Sequence, residues 1–200
     1  MKEIILASNN QNKLREIKEK LDAFGIQVLS QKEVGCNFEV EETGTTFMEN
    51  AELKADAIHK VTSKPVIADD SGLEVDFLEG KPGVYSHRFA GENATDEDRI
   101  HKILELLDGV PEDKRTARFK CSICYIDEKN EKHFFTGIAE GKIGFEPKGS
   151  NGFGFDPIFI YEGKAFAELT SVEKGQVSHR GRAISLFVDY LNQENFPNHQ

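Results

Sequence analysis

Residues 65–72 read Pro-Val-Ile-Ala-Asp-Asp-Ser-Gly, a short apolar strand that runs directly into two carboxylates, a hydroxyl and a glycine. Valine and isoleucine favour extended backbone, and Gly72 is a typical place for a strand to end. Because ligand sites in open α/β sheets lie at the carboxyl ends of strands, the stretch predicts an α/β fold with Asp69 and Asp70 at a sheet edge. Successive strand side chains point to opposite faces, so only one aspartate can face a given ligand. Acidic pairs at strand ends also form turns, and this motif alone leaves both interpretations open.

Helix and strand patterns alternate on both sides of this stretch. Apolar residues at helical spacing predict four helices, at residues 14–24, 45–58, 95–107 and 178–191. The second helix has Thr45 or Thr46 as its N-terminal cap. Further strands are predicted at residues 2–7, 26–30, 116–126 and 131–144, the last two joined by a polar turn. Since the early elements alternate and the hairpins come late, we expect a mixed, elongated and twisted sheet flanked by helices.

Composition limits the class of protein. The chain has 200 residues, of which 38% are hydrophobic, so we expect a single domain, residues 1–200, with two lobes. No stretch approaches the roughly 20 apolar residues of a membrane span, and the start of the chain does not resemble a signal peptide. A cytoplasmic protein without a membrane partner is therefore expected. A formal net charge of -10, without a dense run of basic residues, argues against nucleic acid as a partner. Such a chain can still bind a polyphosphate through a metal ion.

Three cysteines, Cys36, Cys121 and Cys124, are too few for a disulfide framework, and their odd number is typical of a reducing compartment. The spacing of Cys121 and Cys124 resembles half of a zinc or redox site. Both lie in the alternating strand pattern of residues 117–125, however, which places them on opposite faces. The sequence therefore predicts structural cysteines and no zinc site.

A polar loop separates the first predicted strand from the first predicted helix. It consists of Ser8, Asn9, Asn10, Gln11, Asn12 and Lys13. Free backbone N–H groups at a helix N-terminus, with a hydroxyl, carboxamides and one ammonium, are suited to binding phosphate. The glycines of a Walker loop are absent, so a P-loop NTPase is not indicated. Polar residues at a helix start are also ordinary caps, and the segment alone leaves that alternative open.

A candidate metal site combines Asp69 or Asp70 with an acidic segment that precedes the second helix. That segment contains Glu39, Glu41 and Glu42. Magnesium takes one or two protein carboxylates and completes its octahedron with water and substrate phosphates, so Mg²⁺ is the expected cofactor. A solvated acidic loop is the alternative for each glutamate taken singly.

A glycine-rich segment is a candidate for binding a flat ligand. Residues 150–157, Ser-Asn-Gly-Phe-Gly-Phe-Asp-Pro, alternate glycine with aromatic rings. The backbone can therefore approach a base while Phe153 or Phe155 stacks on it, and the Asp156 carboxylate can accept a hydrogen bond from a ring N–H. Core phenylalanines in a glycine-rich loop are the alternative.

A basic segment lies near the last predicted helix. Lys174, His179 and Arg180 lie just before and within its first turn, where positive charge is unfavourable. Local stability favours acids at such positions, so these donors suit an acceptor-rich ligand. A surface basic cluster is the alternative.

Taken together, these motifs resemble the inosine triphosphate pyrophosphatase family, the non-standard purine nucleoside triphosphate pyrophosphatases. The matching motifs are Ser8-x-Asn10-x-x-Lys13, Glu42-Thr-Gly-x-Thr-Phe-x-Glu-Asn-Ala51, Ala68-Asp-Asp-Ser-Gly-Leu73, Pro82-Gly-Val-Tyr-Ser86, Gly152-Phe-Gly-Phe-Asp-Pro-Ile-Phe159 and Ser178-His-Arg-Gly181. The resemblance runs nearly end to end. It implies a two-lobed α/β fold with the active-site cleft between the lobes, and a homodimer as the assembly.

The resemblance also implies a role for each matched residue. The residues from Ser8 to Lys13 would hold the triphosphate, with Lys13 catalytic as well. Glu42 and Asp70 would bind Mg²⁺, and Asp70 would activate the attacking water. The remaining substrate contacts would come from Ser71, Phe153, Gly154, Phe155, Asp156, Lys174, His179 and Arg180.

The implied reaction is hydrolysis of ITP, dITP or XTP between the α and β phosphates, which removes deaminated purines from the nucleotide pool. Donors from His179 and Arg180 would pair with a keto oxygen at position 6 and would reject the amino group of adenine. Two rival hypotheses are a pyrimidine nucleotide pyrophosphatase, as in the related Maf-like proteins, and a nucleotide sensor without turnover. The purine-keto donors argue against the first. The presence of Asp70, Glu42 and Lys13 argues against the second.

Overall fold

The computed structural model describes residues 2–195. The helices in this range are Gln11–Asp22 (α1), Phe47–Thr62 (α2), Asp96–Leu106 (α3), Ser171–Val177 (α4) and His179–Asn195 (α5). The strands are Lys2–Leu6 (β1), Ile26–Ser30 (β2), Val66–Val75 (β3), Lys81–Pro82 (β4), Thr116–Ile126 (β5), Lys132–Ile143 (β6), Phe159–Tyr161 (β7) and Lys164–Ala165 (β8). In this range no helix has the length and hydropathy needed to cross a membrane.

All eight strands belong to one mixed sheet. Seven of them follow the order β2-β1-β3-β5-β6-β7-β8, and β4 pairs with β3 beside that path. β1 pairs in parallel with both β2 and β3, whereas the β3–β4, β6–β7 and β7–β8 pairs are antiparallel. The prediction of a mixed sheet with flanking helices is confirmed.

The described chain divides into two compact units. Of the residues described, 2–70, 121–137 and 180–195 form the first unit, and 71–120 and 138–179 form the second. β3, β5 and β6 each contribute residues to both units.

In the first unit, apolar side chains pack on both faces of the sheet. Ile67 packs in a cluster with α1 and α5. Its neighbours Val66 and Ala68 pack in another cluster with α2. Because strand side chains alternate, this pattern continues along β3 and places Asp69 on the α1 and α5 face and Asp70 on the α2 face.

Phenylalanines dominate the core of the second unit. The centroid of the Phe119 ring lies 4.5 Å from that of Phe159 and 5.7 Å from that of Phe166. Phe155 packs in the same cluster. This buried ring ties the loop that links β6 to β7, residues 144–158, to the core of the second unit.

One predicted boundary is wrong. β3 does not end at Gly72 but continues to Val75, so Asp69 and Asp70 lie in its middle. The reason is that β1 pairs only with the first two residues of β3, whereas β4 pairs with its last two. The aspartates therefore lie just past the carboxyl end of the parallel β1–β3 pairing, although the strand itself goes on.

The patterns also miss α4, which contains Lys174. This helix has only seven residues, too few for apolar periodicity, although the capping box of Thr170 and Glu173 is a readable signal. Two other predictions are confirmed. Thr46 is the N-cap of α2, and the free thiols of Cys121 and Cys124 lie in different core clusters.

Candidate active site

The loop between β1 and α1 takes its shape from its own side chains. Ser8 Oγ accepts a hydrogen bond from the Asn10 N–H at 3.1 Å. Asn10 is the N-cap of α1, and its Oδ1 accepts from the N–H groups of Asn12 at 3.0 Å and Lys13 at 3.1 Å. This cap fixes the first turn of α1, from which the Lys13 side chain reaches Asp69 of β3. The other two loop residues, Asn9 and Gln11, are exposed.

The Asp69 carboxylate lies at the centre of a buried charge cluster. Its Oδ2 is 3.2 Å from Lys13 Nζ and accepts hydrogen bonds from Arg180 Nη2 at 3.2 Å and Nε at 3.3 Å. Arg180 Nη1 donates in turn to Glu16 Oε2 at 2.6 Å. Burial alone would raise the pKa of Asp69, but Lys13 and Arg180 hold that pKa well below its ordinary value. Asp69 is therefore ionised at neutral pH and pairs with two cations.

Asp70 points to α2. Asn50 Nδ2 donates a hydrogen bond to Asp70 Oδ2 at 3.0 Å, and Asn50 Oδ1 accepts the Gly44 N–H at 2.7 Å. Burial raises the pKa of Asp70 above its ordinary value, and the Glu42 carboxylate adds to the rise, although nearby ammonium groups oppose it. A buried carboxylate with a raised pKa is typical of a functional acid or base.

The ammonium of Lys54 lies between Glu42 and Asp70. Its Nζ is 2.6 Å from Glu42 Oε1 and 4.0 Å from Asp70 Oδ1. Burial alone would lower the pKa of Lys54, but the surrounding carboxylates, including Asp69, raise it, so the side chain stays charged. Two carboxylates on either side of a cation are hard oxygen ligands of the kind that Mg²⁺ prefers. Glu42 and Asp70 therefore fit a divalent metal ion.

A second group of metal-ligand types lies on the β5–β6 hairpin. One ligand atom each from Asp127, Glu131 and His133 lies within 4.8 Å of the others. His133 Nε2 is 3.0 Å from Asp127 Oδ2 and 3.0 Å from the Tyr190 hydroxyl. These contacts join the hairpin to α5, which explains why the three side chains lie together without the need for a metal ion.

In the second unit, Asp156 organises the glycine-rich loop. Its Oδ2 is 2.6 Å from Lys174 Nζ and accepts the Phe153 N–H at 3.1 Å. The Lys174 ammonium also lies 4.9 Å from the centroid of the Phe153 ring. Gly152 has a φ of +72°, and a Cβ there would collide with Asp156 Oδ2, so only glycine fits. The structure thus brings Phe153, Asp156 and Lys174 together, a set of contacts between two segments that the sequence analysis treats separately.

Two aromatic candidates are buried. Phe155 is 5% exposed in the phenylalanine core, so Phe153 is the ring of this pair that has accessible surface. His179 is 4% exposed and stacks on Phe119, with the ring centroids 4.6 Å apart. Gly154 lies in the loop with a φ of +63°, and Ser71 is half-buried in β3.

Three residues of the first unit were not predicted from the sequence. Asn50 and Lys54 lie one turn apart on α2, and Asn50 is a buried polar residue in an otherwise apolar stripe, which is a readable signal. Glu16 gives no such signal, because an acid in a polar helix is ordinary. The structure also places the Arg180 guanidinium on Asp69 and Glu16, two contacts that the sequence does not reveal.

Comparison with known proteins gives consistent matches. The sequence model of the Ham1 family matches residues 4–190. The chain is similar to the dITP/XTP pyrophosphatase of Bacillus licheniformis, with 47% identity over 96% of this chain and 100% of the relative. It is 50% identical to the dITP/XTP pyrophosphatase of Vibrio parahaemolyticus, over 96% of this chain and 98% of that one. Among solved structures, the Staphylococcus aureus Ham1 protein matches with a TM-score of 0.86 and 45% identity, over 96% of this chain and 100% of that chain.

Proposed function

This chain belongs to the Ham1 family, and on that premise we propose that it is a nucleoside triphosphate pyrophosphohydrolase that converts ITP, dITP and XTP to the monophosphate and pyrophosphate. Family membership confirms the resemblance carried by the six sequence motifs. Relatives named dITP/XTP pyrophosphatase, 47% and 50% identical over nearly the whole chain, support the substrate class. Such an enzyme removes deaminated purines from the nucleotide pool.

The observation that carries the proposal is the setting of Asp70. Asp70 is 6% exposed, and its carboxylate has a raised pKa and faces Glu42 across the Lys54 ammonium. A carboxylate of this kind is a suitable proton acceptor. Glu42, on the other side of the Lys54 ammonium, is the second carboxylate ligand for a metal ion that assists phosphoryl transfer. Glu42 and Asp70 would hold Mg²⁺, which when bound offsets charge on phosphate oxygens and acidifies water.

The phosphate chain would lie on the β1–α1 loop. Ser8, the exposed amides of Asn9 and Gln11, and the first turn of α1 supply donors there, with Asn10 and Asn12 shaping the turn. The ammonium of Lys13 would offset charge that develops on the phosphate oxygens. Asp69 would hold this ammonium in place, since Lys13 Nζ lies 3.2 Å from Asp69 Oδ2.

The chemical step needs no covalent intermediate. Asp70 would take a proton from water while the water oxygen attacks the α phosphorus. The bond to the α–β bridging oxygen breaks, and pyrophosphate leaves with the bonding electron pair. The products are a nucleoside monophosphate and pyrophosphate.

Base and sugar recognition would involve the glycine-rich loop, residues 150–157. The Phe153 ring would stack on the purine, and Lys174 and Asp156 would hold the ring-bearing loop. The other residues assigned to substrate are Ser71, Gly154, Phe155, His179 and Arg180. Donors facing the keto oxygen at position 6 would reject adenine, since burying an unsatisfied polar group costs about 1–3 kcal/mol.

The wider organisation is also part of the proposal. We assign residues 1–200 to one pyrophosphatase domain with two lobes, located in the cytoplasm and assembled as a homodimer. The proposal of a dimer is supported by two large apolar side chains that β6 exposes, Phe134 at 38% and Ile138 at 37%. Their even spacing places both on one face of the strand, and exposed apolar surface of this kind is typical of an interface.

Product analysis tests the proposed function. The protein is incubated with Mg²⁺ and ITP, XTP, GTP, ATP or dTTP in parallel, beside an Asp70→Asn control. We expect monophosphate and pyrophosphate from ITP and XTP, and neither from the control. Release of orthophosphate would indicate a phosphatase, preference for dTTP would indicate the pyrimidine enzyme, and tight ITP binding without turnover would indicate a sensor.

A further inference from the structure

Asp96, the first residue of α3, contacts the glycine-rich loop from outside it. Its Oδ2 accepts a hydrogen bond from the Gly154 N–H at 2.8 Å, although 58 positions separate the two residues. Its Oδ1 accepts from Arg99 Nη1, also at 2.8 Å. Arg99 is 7% exposed, and its Nε donates to the His87 carbonyl at 2.8 Å. A buried guanidinium thus holds Asp96, which in turn holds the loop.

The peptide groups on both sides of Phe153 are tied to carboxylates. Its own N–H donates to Asp156 Oδ2 at 3.1 Å, and the following N–H, that of Gly154, donates to Asp96. The direction of a side chain depends on its backbone conformation, so the two bonds together fix where the Phe153 ring points. Gly154 has a φ of +63°, and glycine here has many other conformations available, so the external bond is needed to select this one.

We propose that Asp96 is a positioning residue for base recognition: it fixes the peptide between Phe153 and Gly154 so that the Phe153 ring meets the purine. This inference rests on the proposed function, in which Phe153 stacks on the base. Asp96 makes none of its hydrogen bonds with Asp70, so its loss affects binding of the base and sugar and leaves the proton-transfer step unchanged.

Capping of α3 does not explain Asp96. The capping box of this helix is formed by Thr95 and Asp98, whose side chains bond to each other's backbone N–H groups. The neighbouring Glu97 is an exposed acid in the same helical turn, and within the described residues it makes no hydrogen bond or ion pair. Since both residues place negative charge at the helix N-terminus, Glu97 is a matched control for that effect.

The test uses the full chain with Mg²⁺ and compares Asp96→Ala, Asp96→Asn and Glu97→Ala with the unaltered protein. Kinetics with ITP give KM and kcat, and calorimetric titration with inosine monophosphate reports base and sugar binding without turnover. For Asp96→Ala we expect KM to rise about fivefold, inosine monophosphate affinity to fall by a similar factor, and kcat to change less than about twofold. Asp96→Asn has one amide oxygen that can accept from Gly154, but its NH2 group then faces Arg99, so we expect it to recover only part of the affinity. Glu97→Ala changes nothing.

Unchanged KM and unchanged inosine monophosphate affinity in Asp96→Ala overturn the inference, as does an equal effect in Glu97→Ala. If Asp96→Ala does not fold, the same comparison is made with Asp96→Ser, whose hydroxyl suits a helix start but is too short to hold Gly154. Failure of the unaltered protein to hydrolyse ITP is a different result, because it refutes the proposed function itself.

Discussion

Asp69 and Asp70 are consecutive in β3, yet their carboxylates contact different helices. Asp69 Oδ2 accepts from Arg180 of α5 and lies 3.2 Å from Lys13 of α1, whereas Asp70 Oδ2 accepts from Asn50 of α2 at 3.0 Å. The alternation of strand side chains produces this division. Its consequence is electrostatic, because the pKa of Asp69 lies below and that of Asp70 above the ordinary value. This difference suits Asp69 to the role of a fixed charge and Asp70 to the role of proton acceptor in the proposed reaction.

The Asp70→Asn substitution tests the second role. We expect turnover of ITP to fall about a thousandfold, the usual contribution of a general base. The raised pKa means that the ionised carboxylate is disfavoured in the folded state, so the variant should unfold at the same or a higher temperature. Thermal unfolding is measured beside activity. Residual turnover within about tenfold of the unaltered enzyme would exclude Asp70 as the base.

The Asp69→Asn substitution tests the first role. Because the folded pKa of Asp69 is lowered, its ionisation stabilises the fold above the unfolded pKa of about 4, and this contribution is lost as pH falls below that value. We expect the variant to be about 3 kcal/mol less stable at neutral pH, since Lys13 and Arg180 lose a buried partner. We also expect its stability to change less between pH 6 and 3. Urea unfolding at several pH values measures both. If the free energy of unfolding falls equally in the two proteins between pH 6 and 3, this assignment is contradicted.

The sequence predicts this division only in part. Alternation in a strand is a local property, so the opposite directions of Asp69 and Asp70 follow from the sequence alone. The partners of Arg180 do not, because Glu16 and Asp69 are brought to it by packing of α1 and α5 on the sheet. The end of β3 is also set by a neighbour, since β4 pairs beyond Gly72. Local chemistry is readable from the sequence, whereas contacts between distant elements depend on the fold.

The Lys54→Gln substitution tests the fit of Glu42 and Asp70 to a divalent cation. Removing the ammonium leaves two carboxylates without the cation between them, so the variant should be less stable in the absence of metal. Added Mg²⁺ should then raise its unfolding temperature more than that of the unaltered protein. Lys132→Gln, which removes an ammonium from Glu52 and Asp56 on the exposed side of α2, is the control. An equal effect of Mg²⁺ on all three proteins would argue against a metal site here.

The Gly152→Ala substitution tests the loop that presents Phe153. A Cβ at position 152 would collide with Asp156 Oδ2, so we expect Asp156 to be displaced from Lys174 and KM for ITP to rise about tenfold or more. Gly109→Ala is the matched control, because position 109 lies outside the glycine-rich loop and has a similar φ of +74°, but no heavy atom lies within 4 Å of a Cβ there. Its cost should be limited to backbone strain of about 1 kcal/mol. Equal KM values for the two variants would show that the collision does not matter.

The reactivity of Cys121 and Cys124 toward iodoacetamide tests whether the sheet around Asp69 and Asp70 stays closed in the native protein. Cys121 Sγ lies 3.9 Å from Asp69 Oδ2, and burial together with that carboxylate raises the pKa of Cys121 to about 12. Burial likewise raises the pKa of Cys124 to about 12. The thiolate is the reactive form, so iodoacetamide at pH 8 should modify neither residue in the native protein, and both should react once urea unfolds it. Mass spectrometry of digested protein identifies the labelled residue, with Cys36→Ser removing the third thiol. Rapid labelling of Cys121 in native conditions would mean that β5 opens locally beside Asp69, and the raised pKa assigned to this thiol would then have to be abandoned.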